Sequence, residues 1–320
     1  MFSIPEAPNE TTTEVKPRSF TLLASLFIAV ITACSSSTSG QPSAPPAPPV
    51  RTRADGVVCS SVVLSKRPLS YCFQDRENQS SKPEPNVIYY FHGLGGNEEE
   101  IFGRLAFLLD AFSQLFGVDM PVVVGVSLGS SGVMGHEAAD IVSRGIPQIE
   151  KTFAPGKPVQ RLLLGASMGG HNVLRLGGES ASSFVGAAGL CPAMGTFNGH
   201  DVAAVAAYKR RHAQNLDLDF FNRALAVYKK ELPTAKAWAD NNPFTLLPRG
   251  AYDGLPIFLS VGTEDSLGFY EGVREFTKLS VLRPGMSIQS PEVPGGHCAF
   301  DVDALLAFAV RSFQSRASSP

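Results

Sequence analysis

One stretch constrains this chain more than any other: Arg161-Leu162-Leu163-Leu164-Gly165-Ala166-Ser167-Met168-Gly169-Gly170. A strand that enters Gly-x-Ser-x-Gly and leaves as a helix requires a strand–turn–helix unit, with the serine hydroxyl exposed above the sheet edge. Glycines two before and two after Ser167 let neighbouring backbone approach where a Cβ would clash. A second copy, Gly125-Val126-Ser127-Leu128-Gly129, also ends an apolar run. The residues after each serine separate the two copies. Ser127 leads into Gly129-Ser130-Ser131-Gly132, a loop composition. Ser167 leads into 168–176, which can turn at once into a helix with Val173, Leu174 and Leu176 for packing. Ser167 is the expected nucleophile and Ser127 the alternative.

Around this unit the pattern alternates. Strands are expected at 57–64, 69–73, 87–91, 122–126, 161–164, 184–190, 257–261 and 287–293, and helices at 98–116, 136–153, 168–177, 269–282 and 301–313. From Val87 onward the strands are mostly continuous apolar runs, as a sheet covered on both faces demands. The alternation implies an α/β fold with a mostly parallel, doubly wound sheet, entered through an antiparallel hairpin. Between 190 and 256 the rhythm stops. Helical segments at 201–214 and 219–232 and a turn at Trp238 make an insertion of about 195–250, placed to cap a site.

A serine hydroxyl needs a base within hydrogen-bond reach and a carboxylate to orient that base. After such an elbow the chain order is acid, then histidine. His92 and His136 precede the elbow and His171 sits within it, so none fits that order. His200 and His212 lie in the insertion among Lys and Arg, where a solvated face is expected. His297 follows the last strand in Val293-Pro294-Gly295-Gly296-His297-Cys298 and is the expected base. The strand at 257–261 runs into Gly262-Thr263-Glu264-Asp265, which gives Asp265 as the acid and Glu264 as runner-up. Two backbone amides must receive the developing oxyanion. Met168 supplies one. Leu94 supplies the other, with Gly93 or Gly95 as alternatives, from His92-Gly93-Leu94-Gly95-Gly96 just after the strand at 87–91. No metal ligand set is expected.

The amino-terminal part reads differently. An apolar run at 20–31 follows Lys16 and Arg18; it is too short to span a bilayer and suits a signal-peptide core. It ends in Ile31-Thr32-Ala33-Cys34, which resembles the bacterial lipobox, so Cys34 is the expected lipidation site. The organisation expected is a lipoprotein signal peptide at 1–33, a Pro/Ser-rich tether at 34–54 and the folded domain at 55–320. Glu6, Glu10 and Glu14 are unusual ahead of a signal core, and leave open a later start or a plain secreted form. The implied location is the cell envelope, anchored by lipid, at the outer membrane if the host is Gram-negative. Four other cysteines suit an oxidising compartment. Cys59 and Cys72 flank the hairpin and form the natural pair, while the pairing of Cys191 and Cys298 stays open. The net charge of −2, without basic clusters, speaks against nucleic acid as a partner.

Taken together, His92-Gly93-Leu94-Gly95-Gly96, Gly165-Ala166-Ser167-Met168-Gly169-Gly170, Asp265 and Gly296-His297 resemble the esterase D, feruloyl esterase and antigen 85 branch of the α/β-hydrolases over roughly 86–313. The resemblance implies the α/β-hydrolase fold and carboxylic-ester hydrolysis through an acyl-enzyme, with no metal or organic cofactor. An export signal argues for an extracytoplasmic carbohydrate, siderophore or lipid ester as substrate. An acyltransferase with an alcohol acceptor shares the same triad. A serine peptidase or a binding lipoprotein that has lost catalysis would keep the fold.

Overall fold

The computed structural model describes residues 49–317; the segment 1–33, Cys34 and the tether as far as residue 48 lie outside them. The strands are β1 (Arg51–Thr52), β2 (Val58–Val63), β3 (Pro68–Gln74), β4 (Asn86–Phe91), β5 (Val122–Ser127), β6 (Gln160–Ala166), β7 (Gly186–Leu190), β8 (Pro256–Gly262), β9 (Ser287–Gln289) and β10 (Glu292–Val293). They form one sheet in the order β1-β2-β3-β5-β4-β6-β7-β8-β10, with β9 also beside β8. β1 to β3 are antiparallel and β3 joins β5 antiparallel; every later pairing is parallel. In the hairpin Cys59 stands opposite Cys72, and the two are disulfide-bonded.

The strand sequences explain why both faces are covered. In β4, Val87, Tyr89 and Phe91 enter one core and Ile88 and Tyr90 the other, so a period of two splits an unbroken apolar run between two layers. On the Ile88 side lie α1 (Ala106–Phe116) and, at the far end of the chain, α10 (Val302–Ala317), through Leu108, Phe112, Leu305 and Phe308. On the Tyr89 side lie α2 (Ala138–Asp140), α3 (Ile146–Glu150), α4 (Met168–Glu179) and α9 (Phe269–Ser280), through Ala138, Ile146, Leu174 and Phe276.

Three expected elements are divided. The helix at 98–116 begins as a tight turn, Glu100–Phe102, and restarts after Gly103. The helix at 136–153 widens into a π turn, Ile141–Gly145, just before Pro147, which has no N–H to give to the preceding turn. The strand at 287–293 breaks at Pro291. Its two pieces pair with opposite ends of β8: Ser287 with Pro256, and Val293 with Gly262.

Between β7 and β8 the chain forms α5 (Val202–Arg211), α6 (Leu218–Glu231), α7 (Ala235–Asn241) and α8 (Pro243–Leu246). Each starts on a capping side chain: Asp201 accepts from the Ala204 amide, Asp217 from Phe220, Thr234 from Ala237 and Asn242 from Phe244. Caps of this kind contribute about 1 kcal/mol each. The expectation of solvated histidines here does not hold. The His212 side chain is 10% exposed, with its ring 4.3 Å from that of Tyr208, and His200 Nε2 lies 2.7 Å from the Leu232 carbonyl. His212 is drawn in because α5 and α6 pack on the chain after β8, where Tyr208 Oη donates to the Leu267 carbonyl at 2.7 Å, and His200 because it meets the end of α6 and stands edge-on to Trp238. Among the described residues no helix is long and apolar enough to cross a membrane.

Candidate active site

The sheet order reverses direction between β4 and β6: β4 connects outward to β5, and β6 outward to β7. Loops leaving the carboxyl ends of two such strands open a crevice, the usual place for a ligand in an open α/β sheet. Ser167 stands there, between β6 and α4, at φ 53° and ψ −113°. That backbone region costs of order 1–3 kcal/mol for a residue with a side chain. The neighbours hold it: the Ser167 amide donates to Leu190 O at 2.8 Å, and the Ala193 amide donates to Ser167 O at 2.9 Å. The flanking glycines are there for close approach. A Cβ on Gly165 would lie 2.3 Å from Gly169 O, and one on Gly169 would lie 1.9 Å from Phe91 O. Gly169→Ala is therefore expected to lower stability by about 3 kcal/mol or more, because the clash is with sheet backbone rather than a movable side chain. Urea unfolding of the variant checks this; an unchanged midpoint would contradict the packing described.

Three side chains from distant loops meet at the elbow. His297 Nε2 lies 3.1 Å from Ser167 Oγ, and His297 Nδ1 lies 2.7 Å from Asp265 Oδ2. The Asp265 side chain is fully buried and that of His297 is 24% exposed, so the row runs from the interior to the crevice. Asp265 is itself fixed, its Oδ1 accepting from the amides of Leu267 at 2.7 Å and Phe269 at 3.3 Å. Glu264, the runner-up acid, is exposed and joins the site only through its backbone, which donates to Gly295 O at 2.8 Å. A Cβ on Gly262 would sit 2.2 Å from the carbonyls of Gly295 and Gly296, so the acid and histidine loops lie directly on one another. Serine, imidazole and carboxylate in such a row can pass a proton from Oγ to Nε2 while the carboxylate holds the ring's tautomer.

The loop after β4 flanks the serine: a Cβ on Gly93 would lie 3.5 Å from Ser167 Cβ. The Gly95 amide is engaged by Ser130 O and the Gly96 amide by Gly93 O, which takes Gly95 out of the choice of oxyanion donors. Met168 opens α4, where amides lack intrahelical partners and the helix dipole favours negative charge. Ser127, the alternative nucleophile, is buried and has another task. His92 Nε2 lies 2.9 Å from Ser127 Oγ, His92 Nδ1 lies 2.6 Å from Gly93 O, and Ser127 Oγ accepts from the Gly129 amide. With the proton on Nδ1, the ring donates to Gly93 and accepts from Ser127, latching the β4 loop to the end of β5. Sequence reasoning alone missed this latch. Its signal is a histidine opening the glycine loop and a serine closing the adjacent strand.

Cys191 and Cys298 are disulfide-bonded. Cys298 adjoins His297, and Cys191 succeeds Leu190, whose carbonyl holds the Ser167 amide; both cysteines have positive φ, 64° for Cys298 and 45° for Cys191. The bond therefore ties the histidine loop to the strand end beneath the serine. Among the described residues, the His, Cys and carboxylate groups close enough to share a metal are Cys191–His297–Cys298 and Cys59–Cys72–Glu99, and each has both its cysteines in a disulfide rather than free as thiolates.

His171, one helical turn after Ser167, is buried, and burial pushes its pKa down to about 4. The unfolded chain would hold that proton below about 6.5. The folded state is thus favoured by a neutral ring above pH 6.5, and this contribution is lost as pH falls from about 6.5 towards 4. The loss is about 3 kcal/mol. Urea midpoints at pH 7 and 4.5 should fall less on acidification in His171→Gln than in the parent protein; equal falls would contradict it.

No family model matches the chain, and no curated protein matches it. Solved structures are similar to it. They include an S-formylglutathione hydrolase from Agrobacterium tumefaciens, with TM-score 0.55, 14% identity and coverage of 84% of this chain and 97% of that chain. A fungal esterase from Rhizomucor miehei gives TM-score 0.58 and 15% identity over 84% of this chain and 86% of that chain. A thermostable carboxyl esterase from Bacillus coagulans gives TM-score 0.51 and 13% identity over 81% and 98%. At such identities the likeness speaks for architecture, and the architecture of residues 49–317 is the α/β-hydrolase fold.

Proposed function

We propose that this protein is an exported serine esterase that cleaves a carboxylic ester through an acyl-enzyme. The observation that carries the reading is the row Ser167 Oγ, His297 Nε2, His297 Nδ1 and Asp265 Oδ2, with the serine held on a positive-φ elbow. Ser167 Oγ attacks the ester carbonyl as His297 takes its proton. The amides of Leu94 and Met168 receive the oxyanion, each such donor being worth roughly 3–4 kcal/mol of barrier. His297 then protonates the leaving alcohol, and water releases the acid by the same steps in reverse. Asp265 keeps the ring oriented and stabilises the imidazolium. Two disulfides fit an oxidising compartment, and Cys34 after its apolar run is the proposed lipid anchor to the cell envelope. Nitrophenyl esters varied in acyl length test the activity. Hydrolysis by the parent protein and none by Ser167→Ala is expected; no turnover of any ester by folded protein would end the reading. Metabolic labelling with a fatty acid, lost in Cys34→Ala, tests the anchor.

A further inference from the structure

After β8 the chain turns through Asp265-Ser266-Leu267-Gly268 before α9 begins at Phe269. Glycine leaves the backbone of such a turn freer than any other residue does. Gly268 sits at φ 75°, and the peptide joining it to Leu267 lies between the two amides, Leu267 and Phe269, that hold Asp265 Oδ1. A change in either torsion flanking that peptide moves one amide relative to the other. The turn therefore needs support from outside itself.

The insertion supplies it, by holding the oxygens of two peptides in the turn. The Asp217 amide, at the cap of α6, donates to Ser266 O at 2.9 Å, and Tyr208 Oη, in α5, donates to Leu267 O at 2.7 Å. On the nitrogen side of the same two peptides, the Leu267 amide donates to Asp265 Oδ1 at 2.7 Å and the Gly268 amide to Asp265 O at 3.2 Å. Each peptide passes a hydrogen bond from the insertion to the acid, and bonds linked in this way polarise and strengthen one another. Tyr208 and Leu267 are both buried, so the contact is shielded from water. Burial, with the charges of Asp265 and Glu271, raises the pKa of Tyr208, and its hydroxyl keeps the proton that it donates. The fit is close: a Cβ on Gly268 would lie 2.4 Å from Tyr208 Oη and 3.0 Å from His212 Nδ1.

We infer that the insertion positions the catalytic acid, and that Tyr208 is the positioning residue, acting on Asp265 through the Leu267–Gly268 peptide. The inference rests on the esterase reading. It gives the insertion a task in the proton transfer that is distinct from covering the crevice.

Tyr208→Phe tests it, since it deletes the donor and keeps the ring against Phe197, Phe221 and His212. On a nitrophenyl ester kcat should fall about fivefold or more with KM within about twofold, because a displaced acid costs rate and not affinity. Labelling of Ser167 by a fluorophosphonate should slow by a similar factor. Looser packing alone would slow both, so a double-variant cycle on the labelling rate, run with excess probe, separates the two causes. In an Asp265→Asn background no carboxylate is left to position, and adding Tyr208→Phe should change the rate by less than about twofold. An unchanged rate in Tyr208→Phe, or a loss that persists at full size without the carboxylate, would overturn the inference and leave the esterase reading standing. Labelling without turnover of any ester would end the esterase reading, and the cycle would still decide the role of Tyr208. Folded protein that neither labels nor turns over would overturn both.

Discussion

His297→Gln and Ser167→Ala are each expected to lower kcat on a nitrophenyl ester by on the order of 10⁴–10⁶, and the double variant by little more than either alone. Serine and imidazole act as one unit. Without the ring, Oγ keeps its proton and attacks poorly; without Oγ, the ring has nothing to activate. The residual rate in all three variants comes from binding and the two amides. Ser167→Ala removes only a hydroxyl, so its unfolding midpoint should stay close to the parent value, whereas His297→Gln also loses the ring contact with Phe269 and the imidazole beside the buried Asp265 and should unfold somewhat earlier. Additive losses would mean that the two residues do not share a step, and would contradict the 3.1 Å bond between them.

Breaking the Cys191–Cys298 bond by a double alanine substitution should lower both stability and rate. The cysteines are 107 residues apart, and a crosslink closing a loop of that length contributes about 2–5 kcal/mol. The same bond anchors the residue next to His297, and displacement of a catalytic group by about 1 Å can cost a hundredfold. A fall in kcat of tenfold or more is therefore expected with the inner pair removed. Cys59 and Cys72 are 13 residues apart in a hairpin remote in the sheet order from Ser167, so removing them should cost stability but leave kcat near the parent value. Equal effects on kcat from the two pairs would contradict the positioning role of the inner one.

Much of this arrangement is legible in the residues. Ser167 and Asp265 each come after an apolar run, and His297 after the last expected strand, in the order of serine, acid and histidine that such an elbow calls for. The parity of Val87, Tyr89 and Phe91 against Ile88 and Tyr90 makes β4 readable as a strand buried on both faces. The features that were not legible depend on contacts between segments without a shared local pattern. The His92–Ser127 latch joins residues 35 apart and becomes visible only once β4 and β5 are paired. The open pairing of Cys191 with Cys298 is settled by β10 lying along the end of β8. A cavity lined by Phe221 and Tyr228 of α6, Trp238 of α7, Phe197 after β7 and Phe269 after β8 was not legible either, because the capping signals fix where each helix begins but not which way its aromatic face turns.

The most direct measurement is covalent: incubate the folded protein with a fluorophosphonate and locate the adduct by peptide mass. A single adduct on Ser167 is expected, absent in Ser167→Ala and formed far more slowly in His297→Gln. An adduct on Ser127, or none on protein whose unfolding transition is intact, would contradict a nucleophile at the β6–α4 elbow.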